Sequence, residues 1–230
     1  MYSVVESSIK EASSIFDEIV RRRERLIKES RDVISLSSQA IVSIHGSDVS
    51  RAKKLKREAK EKLAELRVIA GSDLTRYLLV PEQEYVECNV MLALAEDAQI
   101  PSRKQLSVAH GSYVLGLLDA IGELKRSVYD SIRKSDFEDA GRKFSVMESL
   151  YLMISPLSVY DNIVQGVRRK LDVARILIED TRATVTEEAR RRDFIIAMND
   201  LSEKLGSVGP SFQLSPSRNS GSRTDVEERR

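Results

Sequence analysis

The chain has 230 residues, 41% of them hydrophobic, enough to bury a core in one or two domains. Its net charge of +1 argues against a uniformly basic nucleic-acid binder but leaves room for local basic patches. The single cysteine, Cys88, excludes an intrachain disulfide and a cysteine-based zinc site, and two histidines, His45 and His110, are too few for a His-rich metal site.

Aromatic residues make up 5% of the chain and there is no tryptophan, while glycine and proline are sparse before residue 205. That is the composition of a helical protein. The first residues, MYSVVESSIKEASSIFDEI, carry acids early and lack the apolar stretch of a signal peptide. No run of about 18 uncharged apolar residues occurs, so no membrane-spanning helix is expected. The expectation is a soluble, cytoplasmic, all-α protein.

Residues 3–45 read as one long helix, with Val5, Ile9, Ala12, Ile15, Phe16 and Ile19 at helical spacing, continuing through Leu26, Val33 and Ile41. Gly46 stops it, and Ser47 or Asp48 caps a second helix over about 49–69. Gly71-Ser72-Asp73 closes that helix. Residues 74–98 are helical except near Pro81, which either kinks the helix or sits in the first turn of a new one. Ile100-Pro101-Ser102 is a break, followed by a helix over about 103–134. Ser135-Asp136 caps a helix over about 137–154, which Ser155-Pro156 ends. The last helix is expected from near Ser158 to Leu205. After Gly206 the sequence is Ser, Gly, Pro and charge, which predicts a disordered tail. The domain reading is a bundle of six to seven long helices over 1–205 and a tail over 206–230.

Two stretches place like charges together on these helices. Glu84 and Glu87 are three residues apart, and Asp119 and Glu123 are four apart. Such pairs weaken a helix by a few tenths of a kcal/mol. Only Glu123 has a basic residue at helical range, Arg126. Gly116 and Gly122 flank Asp119, each costing roughly 0.5–1 kcal/mol against alanine unless something must come close. If the two helices pack side by side, four carboxylates converge. Unpartnered they would be strongly disfavoured, and a divalent cation with oxygen ligands, Mg²⁺ or Mn²⁺, removes the conflict. The spacing alone leaves another reading open: a solvated acidic face, or pairing with Lys or Arg from another helix.

The densest basic stretches are Arg21, Arg22, Arg23 and Arg25 in RRRER, and RAKKLKREAKEK at 51–62. Lys125 and Arg126 directly follow the second acidic pair, and Arg168, Arg169 and Lys170 open the last-helix motif. These are candidate phosphate contacts, or solvated helix faces with i,i+4 ion pairs. Lys125 and Arg126 are the stronger candidates because they adjoin the acids. Tyr85 and Tyr113 read as core, and Cys88 as a small buried apolar residue.

Several stretches together carry a family likeness: QEYVEC (83–88), YVLGLLDAIGELKR (113–126), RERLIKESRDVISLSSQAI (23–41) and RRKLDVARILIEDTR (168–182). They resemble the translin family, from about residue 10 to about 185. The most specific element is Tyr-x-x-Gly-x-x-Asp-x-x-Gly-Glu-Leu together with QEYVE. The family has two branches, translin, which binds single-stranded nucleic acid, and translin-associated factor X, which carries an acidic nuclease site. Keeping the glutamates of QEYVE and both acids of DAIGE, this chain looks like the second branch. The resemblance implies a Mg²⁺- or Mn²⁺-dependent endoribonuclease acting on single-stranded RNA, with Glu84, Glu87, Asp119 and Glu123 as catalytic residues and Glu87 and Glu123 as metal ligands. It also implies a hollow octamer, binding of single-stranded DNA as well as RNA, and room for a translin-like partner subunit. The lysine-rich second helix, Cys88 and the tail after 206 depart from the family pattern. The rival reading is a non-catalytic oligomeric RNA- or DNA-binding protein on the same fold.

Overall fold

The long apolar periodicity at the start of the chain becomes α1 (Ser3–His45), 43 residues without a break. The computed structural model describes residues 2–204; the tail expected over 206–230 lies outside them. α1 ends on a tight reversal. The Gly46 N–H donates to the Val42 carbonyl, Ser47 takes the left-handed conformation, and the Asp48 carboxylate accepts from the Arg51 N–H at 2.9 Å. That cap starts α2 (Val49–Ala70), which folds back along α1.

The two helices differ greatly in length. At 1.5 Å per residue, 22 residues of α2 cover roughly 33 Å of an α1 that runs roughly 64 Å. The buried α1 residues accordingly begin at Leu26 and continue through Val33, Ala40 and Ile41. The earlier part of the expected stripe, Val5, Ile9, Ile15 and Phe16, is exposed.

A 3₁₀ turn (Thr75–Leu78) leads into α3 (Leu79–Ala95). Pro81 lies in the first turn of α3, where its missing N–H costs nothing. α3 packs against α1, α2 and α5 and is buried on most of its circumference, as a helix apolar nearly all round should be.

The helix expected over 103–134 is two. α4 (Arg103–Leu106) is one turn held by a capping box between Ser102 and Gln105. Ser107 then turns left-handed, and α5 (His110–Arg133) starts afresh. The new start is fixed from a distance: the Ala109 N–H donates to Glu82 Oε2 at 2.9 Å.

α6 (Phe137–Ile154) begins at Asp136, whose carboxylate accepts from the Asp139 N–H, and packs on α5. α7 (Val167–Lys204) begins nine residues beyond the expected Ser158. The intervening chain forms a 3₁₀ turn (Ser155–Tyr160), then reaches Gly166 at φ +86, and Asp161 accepts from the Arg168 N–H.

The described residues therefore form seven α-helices and no strand, as the sequence predicts. Two compact units divide the chain at 186/187. The first holds α1 to α6 and the buried stripe Leu171, Ala174, Ile178 and Thr181 of α7. In the second, the described residues 187–204 are helical, with an Arg191–Glu188 ion pair and exposed Phe194, Ile196 and Leu201. No helix among the described residues is long and apolar enough to cross a membrane.

Candidate functional site

Gly116 sets the distance between α3 and α5. A Cβ at this position would lie 2.6 Å from the Gln83 carbonyl oxygen and 2.7 Å from Val86 Cβ, so the helices touch backbone to backbone. Gly122, which the sequence pattern treats as its equal, has nothing within 4 Å of an added Cβ, so it mediates no close approach. The crossing at Gly116 carries Glu84 and Glu87 of α3 into the electrostatic reach of Asp119 and Glu123 of α5. All four are partly buried.

The four carboxylates are not equivalent. Asp119 is held by Lys170 of α7, whose ammonium donates to both carboxylate oxygens at 2.5 Å and to Gln83 Oε1 at 3.0 Å. Glu123 Oε2 lies 2.7 Å from His45 Nε2, in the last turn of α1, and that hydrogen bond draws its carboxyl below the ordinary range. The other nitrogen of the His45 ring faces Asp130 Oδ2 at 3.6 Å. Glu84 and Glu87 have no hydrogen-bond or ion-pair partner among the described residues. Burial raises both, and neighbouring carboxylates add to it. Glu87 is pushed up to about 8, by burial first and then by Glu84, Asp119 and Glu123, against a weaker downward pull from Lys170.

Two hollows adjoin this cluster. Asp119 and Lys170 line one of about 270 Å³ with Gly166 and Arg169. His45 lines another of about 300 Å³ with Asp130, Ser131, Asp139 and Lys143. In the second, Asp139 is held at about 2: burial works upward, and Lys143, Ser131 and Arg142 overcome it.

The donor chemistry fits a hard divalent cation, since the four groups offer oxygen and excess negative charge. Their present positions do not form a closed ligand set: among the described residues no three or more His, Cys, Asp or Glu side chains are grouped so as to hold a metal ion.

The six basic candidates fare differently. Arg22 makes a bidentate pair with Asp73, at 3.0 and 2.5 Å, and ties α1 to the α2–α3 connection. Lys125 is bound to Asp180 of α7 at 2.5 Å, with its ammonium 5.4 Å from the Tyr129 ring centre. Arg21 pairs with Glu18 and Arg25 with Glu29 along the exposed face of α1. Arg23 donates to the Tyr77 hydroxyl at 2.8 Å. Arg126 is exposed, with only a 3.9 Å approach to Glu123. Arg22 and Lys125 are thus occupied in holding helices together, while Arg126 is the one of these six that lies exposed beside the acids.

Sequence reasoning passed over the two partners that matter most. In the sequence His45 is one of only two histidines and Lys170 one of three basic residues opening the last-helix motif. Neither shares local spacing with its acid: His45 and Glu123 are 78 residues apart, and Lys170 and Asp119 are 51 apart.

Comparison with known proteins places this geometry in context. No family model matches the chain. An uncharacterized protein of Methanocaldococcus jannaschii is 34% identical over 166 residues, 71% of this chain and 74% of that protein. The solved structure of AfC3PO matches with a TM-score of 0.73 at 27% identity, covering 80% of this chain and 98% of that chain. A complex of AfC3PO with duplex RNA matches over the same shares with a TM-score of 0.72. Apo-NeC3PO, at 22% identity and a TM-score of 0.69 over 78% of this chain and 96% of that one, shares the fold. These solved structures are of the translin type.

Proposed function

The chain belongs to the translin family, and on that premise we propose that it is a metal-dependent endoribonuclease of the translin-associated factor X branch, cutting single-stranded RNA. One observation carries the reading. Glu84 and Glu87 are partly buried, without a hydrogen-bond or ion-pair partner among the described residues, and crowded by two further carboxylates, an arrangement that costs stability.

Glu87 and Glu123 would hold Mg²⁺ or Mn²⁺. When bound, the cation supplies a more acidic water and neutralises charge on the phosphoryl oxygens. The remaining work falls to the protein. Glu84 is raised by burial and free of a partner, so it is suited to accept a proton as general base. Asp119 is occupied by Lys170 and suits that role less well. His45 fixes one oxygen of Glu123 and leaves the other available. Arg126, beside Glu123 and exposed, is placed to meet a backbone phosphate. Arg21, Arg23 and Arg25 offer further contacts along α1.

RNA as the ligand is supported by the AfC3PO complex with duplex RNA. Self-association, to an octamer or with a translin-like partner subunit, is supported by exposed Val4, Val5, Ile9 and Phe16 on the uncovered half of α1 and by Leu152 and Met153 on α6. A cytoplasmic location and single-stranded DNA as a second ligand complete the proposal.

The test is cleavage of end-labelled RNA, single-stranded and duplex in parallel, with Mg²⁺ or EDTA, by the parent and by Glu87→Gln/Glu123→Gln. The proposal expects the parent to cut the single strand, EDTA and the double substitution to abolish cutting, and products with 5′-phosphate and 3′-hydroxyl ends. Tight, salt-sensitive RNA binding without cleavage by either protein would establish the non-catalytic binding protein instead. Products ending in 2′,3′-cyclic phosphate would sink the hydrolytic mechanism.

A further inference from the structure

Lys170 is the one ammonium among the described residues in hydrogen-bond contact with the four-carboxylate cluster. Its three N–H groups meet three acceptors, both oxygens of Asp119 and Oε1 of Gln83. It also acts electrostatically on Glu84 and Glu87, so its charge is felt across both helices of the site. One ammonium cannot reach all four carboxylates, and Glu84 and Glu87 are left with no hydrogen-bond or ion-pair partner among the described residues. The side chain is 31% exposed and lines the 270 Å³ hollow with Gly166 and Arg169. Its four-carbon stem therefore has open space beside it to swing into.

We infer that Lys170 is a resident stand-in for the metal: it holds Asp119 while the site is metal-free, and a divalent cation entering the cluster displaces it into the adjoining hollow. This rests on the metal-site reading above. It accounts for an arrangement that has the right donors but no closed ligand set. A departing ammonium also leaves the full negative charge of Asp119 to the metal. Lysine and metal thus compete for the same carboxylate, and the lysine sets the threshold concentration at which the site loads.

The competition is read without RNA or activity, by thermal unfolding of the full chain against MnCl₂ at fixed pH and ionic strength. The proteins compared are the parent, Lys170→Met, Lys170→Gln, Lys170→Arg and Glu87→Gln. Removing the charge should lower the melting temperature without metal. It should also enlarge the upward shift on adding Mn²⁺ and reduce the half-saturating concentration about tenfold, equivalent to about 1.4 kcal/mol. Lys170→Arg should behave like the parent, and Glu87→Gln should blunt the shift. Lys170→Gln keeps a hydrogen-bonding group at the site, so it answers the question if the methionine variant does not fold. Equal half-saturation in the parent and the charge-free variants would overturn the exchange and leave the metal site standing, with Lys170 a structural pair. No Mn²⁺-dependent shift in any folded variant would overturn the metal site and the stand-in together.

Discussion

Glu82 and Glu87 lie on the same helix, less than two turns apart, and their surroundings could hardly differ more. Glu82 is 4% exposed and fully engaged: Oε1 accepts from Arg67 Nε and Nη2 at 3.3 and 3.2 Å, and Oε2 from the Ala109 N–H. One carboxylate thereby joins α2, α3 and the start of α5. Glu87 faces three more carboxylates and is pushed up to about 8. A buried charge that has been given every partner is part of the architecture. One crowded by carboxylates, with no hydrogen-bond or ion-pair partner among the described residues, is the place where something from outside the chain would bind.

The contrast is broken most severely at Glu82. Glu82→Ala strands Arg67 and frees the α5 start, and should cost about 3 kcal/mol in urea-melt stability. Its loss of RNA cleavage should track unfolding and recover where the protein is refolded by osmolyte.

Gly116→Ala is next. The added methyl meets α3 backbone at 2.6 Å, so the helices must part. About 2 kcal/mol of stability should go, and cleavage should fall further than stability explains, because Glu84 and Glu87 shift relative to Asp119 and Glu123.

The pH dependence sharpens the comparison at Glu87. Its folded carboxyl binds a proton more tightly than the unfolded one, with about 8 against 4.5. Below the unfolded value both states are protonated and the group costs nothing. As pH rises from there through about 8, only the unfolded state gains by ionising, so metal-free stability falls; above about 8 the cost is complete. Allowing for its partial exposure, the loss is on the order of 2 kcal/mol. Melts from acidic to alkaline pH in EDTA should show this slope in the parent and a flatter one in Glu87→Gln.

The smallest effect has the opposite sign. Gly122→Ala meets nothing within 4 Å, so it should stabilise the protein by roughly 0.5–1 kcal/mol and leave cleavage alone.

Sequence reading succeeded wherever the cause was local. The ends of α1 and α2, the Asp48 and Asp136 caps and the first-turn Pro81 follow from residues within a few positions of one another, and they stand as expected. The starts of α5 and α7 were missed. The first is held by Glu82 across 27 residues, the second by Asp161 and a left-handed Gly166, and helical periodicity registers neither. The four acids were legible as two repelling pairs, and their convergence follows from Gly116. Gly122 looked identical in the pattern because periodicity gives the spacing of a face without saying what lies against it. His45 and Lys170 were illegible as partners because side chains from the ends of distant helices meet the acids only after folding. The apolar first half of α1 is legible as a stripe, but α2, the helix folded back along α1, is too short to cover it.

Lys170 has a further consequence in time. Synthesis proceeds from the amino terminus, so α1 to α6 and all four carboxylates emerge before the residue that restrains one of them. Until α7 has been made and laid down, the Gly116 crossing brings the acids together with His45 but without Lys170. Should α3 and α5 cross before α7 docks, the acids repel one another without the offset that Lys170 supplies. The order of translation makes the Lys170–Asp119 pair the last of the site's contacts that can form, and a chain truncated before residue 170 would carry the acids without their lysine counter-charge.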